Sequence, residues 1–142
     1  MGKYVANNLI KLMIKADIPV KNSRVAILGF TFKENCPDAR NTRVIDIIRE
    51  LEEYGVNTIV SDSVCDNESA IEYGISLVDL ECISNADAII LAVAHDSYKS
   101  LSDDEIKKLF KPDEPGEKVI IDIKGILDWK EFTGAGYVYW RL

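Results

Sequence analysis

The chain has 142 residues, of which 47% are hydrophobic and 29% are charged, and this composition fits one compact domain with its own core. The 17 basic and 24 acidic residues give a formal net charge of −7, which disfavours nonspecific binding to nucleic acid or to an anionic membrane surface. An anionic ligand would therefore need a local cluster of basic side chains.

The apolar segments and the cysteines indicate the cellular compartment. The longest apolar runs, such as residues 86–94, are shorter than the roughly 20 residues of a membrane-spanning helix, and the N-terminus lacks the pattern of a secretory signal. The three cysteines, Cys36, Cys65 and Cys82, are odd in number and scattered, which argues against a secreted disulfide scaffold. We therefore predict a soluble cytoplasmic protein. The single histidine and the lack of a CxxC pair predict no structural metal.

The first predicted element is an amphipathic helix. Apolar side chains recur at helical spacing over residues 3–17 and leave one face to be buried. The pattern begins almost at residue 1 without a capping residue, so the chain is either a piece of a longer protein or has a short ordinary N-terminus. Homodimerisation is also predicted, because this face would otherwise have to be covered within a small domain.

Strands and helices are predicted to alternate along the rest of the chain. Residues 24–30 are a nearly continuous apolar run, as expected for a parallel strand covered on both faces, and residues 44–51 predict an amphipathic helix that ends before Gly55. Further strands are predicted at 56–60, 75–78, 86–93, 118–123 and 136–142, with a helix at 103–110 and a flexible connector at 111–116. The predicted fold is an α/β, Rossmann-like doubly wound sandwich, with a mainly parallel sheet, helices on both faces and part of a long helix in front.

Polar side chains follow three of the predicted strands. In a sheet of this kind, ligands bind beyond the carboxyl ends of the strands, where the strand order reverses. We expect three groups to meet there: Phe32, Lys33, Asp38 and Arg40 in the first, His95 and Asp96 in the second, and Asp122 and Lys124 in the third. The basic members of these groups would supply the positive charge that a pyrophosphate needs.

Each of these residues also has a purely structural interpretation. A lysine in a loop is usually solvated, and Arg40 could simply pair with Asp38 while Asn41 or Thr42 caps the helix that follows. His95 and Asp96 would then only mark the end of a strand and the cap of a helix.

Neither a dinucleotide site nor a cysteine nucleophile is favoured by the sequence. Asp62 follows the second strand, where a Rossmann domain places its ribose-binding acid, but residues 29–32 lack the G-x-G-x-x-G turn that cradles a pyrophosphate. We therefore interpret Asp62 as structural and the chain as a poor candidate for the main NAD site. Cys36 lies close to Lys33 and Arg40, but it has no evident base partner.

Five segments carry a resemblance to a known family. They are Met1-Gly-Lys-Tyr-Val-Ala6, residues 29–44, Asn85-Ala-Asp-Ala-Ile-Ile90 with His95, Asp122-Ile-Lys-Gly125, and Tyr139-Trp-Arg-Leu142. In this order, and along essentially the whole chain, they resemble the C-terminal, nucleotide-sugar-binding domain of the UDP-glucose/GDP-mannose dehydrogenase family. The resemblance implies that residues 1–20 are the C-terminal part of a central dimerisation helix and that residues 21–142 are a UDP-sugar-binding α/β domain.

The resemblance also implies how the full enzyme works. It would oxidise the sugar C6 alcohol to a uronic acid with two NAD, which bind mainly to an N-terminal domain absent from this chain. Phe32, Lys33 and Lys124 match residues that contact the nucleotide sugar, and Arg40 matches an arginine that reaches across to NAD. None of the three cysteines lies in the family's glycine-rich catalytic context, so no catalytic residue is assigned and the chain alone is expected to be inactive.

A departure from the family pattern bears on the substrate. Lys124 stands in Asp-Ile-Lys, where glucose-type enzymes have arginine in Asp-Gly-Arg, and lysine does not reproduce a bidentate arginine contact. This motif and Ala-His-Asp around His95 look more like the UDP-N-acetylhexosamine 6-dehydrogenases of capsule and O-antigen synthesis, including the Vi-polysaccharide type. A UDP-glucose 6-dehydrogenase domain and a non-catalytic nucleotide- or protein-binding module remain the alternatives. A response-regulator-like receiver is disfavoured, because the paired acids after its first strand are missing.

Overall fold

The computed structural model describes residues 2–112 and 118–142 and contains one five-stranded sheet in which every pairing is parallel. The strands lie in the order β2-β1-β3-β4-β5. In chain order the elements are α1 (Gly2–Lys15), β1 (Arg24–Leu28), α2 (Val44–Glu53), β2 (Asn57–Ser61), α3 (Asn67–Ile71), a 3₁₀ turn (Leu80–Cys82), β3 (Ala88–Leu91), α4 (Asp96–Lys99), α5 (Asp103–Lys107), β4 (Lys118–Asp122), α6 (Trp129–Gly134) and β5 (Tyr137–Arg141).

The strand order reverses next to β1. This strand pairs with β2 on one side and with β3 on the other, so the chain moves outward in one direction and then returns to build the opposite half. A doubly wound sheet of this order has its ligand site at the switch between β1 and β3. The predicted α/β, Rossmann-like fold is confirmed.

Helices cover both faces of the sheet. Alternate residues of each central strand point to opposite faces, so each of these strands contributes to two cores. Val25 and Ile27 of β1 face a core formed with α1, α2 and α3, whereas Ala26 and Leu28 face a second core formed with α4, α5 and α6. All four side chains are completely buried. This two-sided burial explains why the strand sequences are apolar without alternation.

The apolar face of α1 is covered within the chain. Its buried residues include Val5, Leu9 and Met13, and they pack into the same core as α2. The two helices approach closely at Gly2, where a Cβ atom would lie 2.7 Å from Cβ of Asp46. The reason for predicting a homodimer therefore does not hold, because α2 and the sheet already bury this face. The homodimer itself stays a prediction.

Several predicted boundaries also need correction. Residues 75–78 form no strand in the structure. The N–H of Val78 donates to the carbonyl of Val60 in β2 at 2.9 Å, and the N–H of Ile75 donates to the carbonyl of Ala70 at 3.2 Å. The helix predicted at 103–110 ends at Lys107, and α3, α4 and α6 were not predicted because each has only four to six residues. The predicted edge strand at the C-terminus is confirmed as β5. Of the predicted connector at 111–116, residues 113–116 lie outside the described residues.

The described residues contain neither a membrane-spanning helix nor a cluster of metal ligands. No helix in 2–112 or 118–142 is long and apolar enough to cross a membrane. Within the same ranges, no group of three or more His, Cys, Asp or Glu side chains is arranged to hold a metal ion.

Candidate functional site

Thr42 joins the end of β1 to the start of α2. Its hydroxyl donates to the carbonyl of Phe30 and accepts from the N–H of Val44 at 3.2 Å. The helix nevertheless has Arg43 at its N-cap position, and the Arg43 side chain makes no capping hydrogen bond. The hydroxyl of Thr42 thus caps the N–H of the first helical residue, as one of the two structural alternatives predicted, although Arg43 occupies the N-cap position. The guanidinium of Arg43 is not used in capping the helix that it precedes.

A cleft of about 130 Å³ opens at the carboxyl ends of the central strands. It is lined by Thr31, Phe32, Arg43, Val44, Ile47, Ala92, Ile123 and Lys124. Most of its floor is apolar and buried, while two exposed cationic residues, one at the start of α2 and one from the turn after β4, stand at its edge. Phe32 is 47% exposed, which is unusual for a large aromatic side chain. The cleft therefore combines an open aromatic ring, an apolar floor and two positive charges.

The structure brings together only two of the four predicted site residues. Phe32 and Lys124 line the same cleft, whereas Lys33 and Arg40 are exposed and are not among its lining residues. Arg40 forms an ion pair with Asp38. The backbone N–H and the guanidinium of Arg40 hold the pKa of the Asp38 carboxyl below its usual value. The alternative prediction, that Arg40 pairs with Asp38, therefore agrees with the structure.

Arg43 is a cleft residue that reasoning from the sequence missed. It comes directly before the apolar run of α2, and that run was interpreted only as the start of a helix. Its position was nevertheless a usable clue, because residues at the beginning of a helix that follows a parallel strand lie at the carboxyl edge of the sheet. The cleft thus has a second cationic residue in addition to Lys124.

Asp122 fixes the turn that carries Lys124. Its completely buried carboxylate accepts the N–H groups of Ile126, at 3.1 Å, and Leu127, at 2.8 Å, and it also accepts the hydroxyl of Tyr139. Burial and the neighbouring Asp122 charge raise the pKa of Tyr139, which keeps this hydroxyl protonated as a donor. Asp122 therefore orients the turn and has no free oxygen directed into the cleft.

Asp62 is enclosed by hydrogen bonds after β2. It accepts backbone N–H groups from Phe30, Thr31, Val64 and Cys65 at 2.7 to 3.2 Å, and its side chain is completely buried. Burial alone would raise its pKa, but the hydrogen bonds from His95 and from these backbone groups outweigh burial and lower the pKa to about 2. Because both carboxylate oxygens of Asp62 already accept hydrogen bonds, neither is free to bind a ribose. This agrees with the prediction that Asp62 is a structural residue.

His95 lies next to Asp62 and is completely buried. It occupies the N-cap position of α4, but its side chain makes no capping hydrogen bond and instead contacts the Asp62 carboxylate at 2.9 Å. The interpretation of His95 as only a strand end and a cap was therefore incomplete. Its place in the sequence predicted the correct edge of the sheet but did not indicate its partner.

The three cysteines differ in how far they are exposed. All three are free, and Cys36 and Cys65 are partly exposed. Burial, followed by the nearby Asp62 charge, raises the pKa of Cys65 to about 11, which makes it a poor thiolate at neutral pH.

The family model described as "UDP-glucose/GDP-mannose dehydrogenase family, UDP binding domain" matches residues 26–129. The chain belongs to this family. The match includes three of the five residues of β1, the whole of β2 to β4 and every residue that lines the cleft. The resemblance found in the sequence motifs is thereby confirmed, and the cleft belongs to a UDP-binding domain.

Two bacterial proteins similar to this chain have the same name. The chain is 46% identical over 129 residues to a UDP-N-acetyl-D-glucosamine 6-dehydrogenase of Pseudomonas aeruginosa, covering 90% of this chain and 30% of that protein. It is 45% identical over 128 residues to the protein of the same name in Salmonella typhi, covering 89% of this chain and 29% of that protein. This UDP-binding domain therefore spans about 30% of the length of these curated relatives.

A solved structure shares the fold along nearly the whole domain. The NDP-N-acetyl-D-galactosaminuronic acid dehydrogenase of Methanosarcina mazei Go1 superposes with a TM-score of 0.86 at 30% identity, covering 99% of this chain and 28% of that one. The match extends through α1, so the packing of this helix on the sheet is included in the shared fold.

Proposed function

We propose that this chain is the nucleotide-sugar-binding, C-terminal domain of an NAD-dependent UDP-N-acetylhexosamine 6-dehydrogenase, which converts the sugar C6 alcohol to a uronic acid with two NAD per turnover. The observation that carries the proposal is the cleft at the carboxyl edge of the sheet, where Arg43 and Lys124 stand over an apolar floor beside Phe32. The names of the bacterial relatives support N-acetylhexosamine as the sugar class.

The cleft residues suit the parts of a UDP-sugar. Lys124 and Arg43 place two positive charges beside one small cleft, as a diphosphate requires in a chain with net charge −7. The exposed ring of Phe32 offers a flat apolar surface for a base or a sugar face. Lys33 follows directly and is exposed, so it reaches ligand atoms that extend beyond the cleft.

We also propose that the principal NAD site lies in another part of the full protein. Val93 fills the direction in which a Gly29 side chain would project, and both carboxylate oxygens of Asp62 already accept hydrogen bonds from backbone donors and His95. NAD held by another part of the full protein would accept the hydride. In that arrangement the exposed guanidinium of Arg40 contacts the cofactor from this side.

The remaining features of the whole protein are also proposed from the family. Residues 1–20 would be the C-terminal part of a central helix that contributes to a homodimer, and residues 21–142 would be the UDP-sugar domain. The catalytic cysteine would lie in a segment outside this chain, and the enzyme would act in the cytoplasm on precursors of surface polysaccharide. The exposed side of α1, which carries Tyr4 and Ile14, is available for such contacts.

Amide NMR shifts during titration with UDP, UDP-N-acetylglucosamine, UDP-glucose and NAD test the binding role. We expect saturable shifts with the UDP ligands at residues 30–44 and around Lys124, and weaker saturation in Lys124→Ala and Lys33→Ala. Lys107→Ala is the matched control, because this lysine lies at the end of α5 and lines a different depression. The absence of shifts at millimolar UDP, or equal effects of all three variants, would contradict the proposal.

The reaction itself requires the longer protein. With upstream sequence restored, we expect faster NADH formation from a UDP-N-acetylhexosamine than from UDP-glucose. A preference for UDP-glucose would reject the proposed substrate class while leaving UDP binding intact.

A further inference from the structure

His95 and Asp62 form a buried pair beside the cleft without lining it. Both side chains are completely buried, and Nε2 of His95 lies 2.9 Å from one carboxylate oxygen and 3.0 Å from the other. The backbone groups around Asp62 already satisfy much of its hydrogen-bonding capacity. The hydrogen bond to Asp62 alone therefore does not explain why a histidine lies here. The contact of its second ring nitrogen does.

The contacts of the ring define its tautomer. Nδ1 of His95 lies 2.8 Å from the backbone nitrogen of Asn35, which can only donate. Nδ1 is therefore the acceptor, and Nε2 carries the ring hydrogen and donates it to Asp62. Thr31 Oγ1 lies 3.3 Å from Nε2, and its own hydrogen goes to the carbonyl of Lys33 at 2.9 Å. The ring is thus held as the neutral Nε2–H form.

Together these contacts anchor both ends of one loop, residues 31–35. At the start of the loop, Asp62 accepts the N–H of Thr31 at 3.2 Å. At its end, His95 accepts the N–H of Asn35, which has a positive φ of 59°. Since His95 is itself bonded to Asp62, the two anchors are a single connected unit.

Phe32 and Lys33 lie between the anchors. Their side chains are exposed, so their direction is set mainly by the backbone of the loop. We propose that His95 is a positioning residue for nucleotide-sugar binding, which holds this loop so that Phe32 and Lys33 face the ligand before it arrives. The inference rests on the proposed function. Such preorganisation increases affinity by reducing the entropy lost when the ligand binds.

Imidazole ¹⁵N NMR of the unmodified chain is the first test. The chain contains one histidine, so the spectrum needs no assignment. We expect a protonated Nε2 and an unprotonated Nδ1, with slow hydrogen exchange at the amide of Asn35. A protonated Nδ1 would overturn the inference whatever the outcome of the UDP titration.

Two substitutions separate positioning from a general contribution to stability. His95→Asn keeps an acceptor near the former Nδ1 but loses the donor to Asp62, whereas His95→Gln keeps the donor and loses the acceptor for Asn35. Positioning predicts that His95→Gln weakens UDP binding about tenfold and that His95→Asn changes it by less than about threefold, although His95→Asn removes the bond to the buried carboxylate. Ser97→Ala is the control, because it removes a hydrogen bond from α4 to Ser63 without touching loop 31–35.

Each outcome of the UDP titration is decisive. Equal affinity in both His95 variants and the unmodified chain would overturn the inference and leave the proposed function intact. Affinity losses that follow the loss of unfolding free energy would assign His95 a merely structural role. Failure of the unmodified chain to bind UDP would overturn the proposed function and this inference together. If both His95 variants fail to fold, the tautomer and the exchange rate at Asn35 decide.

Discussion

Gly29 and Val93 are packed so closely that position 29 has no room for a side chain. A Cβ atom on Gly29 would lie 2.7 Å from Cβ of Val93 and 2.8 Å from its backbone nitrogen. Gly29 also has a φ of +102°, a region that residues with side chains rarely adopt. This contact holds the end of β1 against the segment that follows β3, at the edge of the sheet where the cleft opens.

Gly29→Ala is therefore expected to lower the free energy of unfolding by at least about 2 kcal/mol, from backbone strain and overpacking together. Urea denaturation measures the change. Gly136→Ala is the matched control, because Gly136 has a similar φ of +93° but no atom within 4 Å of the added Cβ. Equal losses in the two variants would show that the Val93 contact is unimportant.

Arg43→Gln tests the cationic edge of the cleft. We expect it to weaken UDP binding about tenfold, because a charged hydrogen bond to a phosphate is replaced by a neutral one. Arg49→Gln makes the same change in charge on the helix that Arg43 precedes, but Arg49 lies away from this cleft. Titration at two salt concentrations should show a smaller salt dependence for Arg43→Gln only. Equal behaviour of the two variants would exclude Arg43 from the site.

The stability of the fold should depend on the ionisation of Asp62. Its folded pKa, about 2, is lower than its ordinary value of 3.8, so the ionised carboxylate stabilises the folded chain. The contribution is about 2 kcal/mol above roughly pH 5 and disappears as the pH falls from about 4 towards 2.

Asp62→Asn should therefore be less stable than the unmodified chain at neutral pH, and the difference should shrink below about pH 4. Chemical denaturation at several pH values measures it. Asp96→Asn, which changes an exposed carboxylate 3.5 Å from Lys99, is expected to have a small effect at every pH. A difference for Asp62→Asn that does not vary with pH would contradict this assignment.

Tyr139→Phe removes the hydroxyl that donates to the buried Asp122. We expect a loss of about 1 to 2 kcal/mol in the free energy of unfolding, because a buried carboxylate loses a donor, and faster amide exchange in the turn at residues 123–127. Tyr54→Phe is the control, since the Tyr54 hydroxyl donates to the side chain of Asn7 at 2.9 Å in a solvent-exposed contact. Its removal should cost less than about 0.5 kcal/mol.

The pattern of apolar residues was sufficient by itself to determine the fold class. The continuous apolar run over residues 24–30 and the helical spacing over 44–51 are local patterns, so the α/β architecture and the carboxyl-edge location of Phe32 and Lys124 followed from sequence alone. Short elements such as α4 did not, because four residues show no period. The predicted strand at 75–78 failed because strand formation requires a partner along its length, and local sequence does not specify one.

Tertiary structure alone decided which polar residues meet. His95 is separated from Asp62 by 33 residues and from Asn35 by 60, and only the parallel order β2-β1-β3 brings the three together. The same holds for Arg43 and Lys124, which come from different parts of the chain but line one cleft. Local sequence carries the preferences of each segment, whereas contacts between distant segments depend on how strands are ordered in the sheet and how closely their neighbours pack.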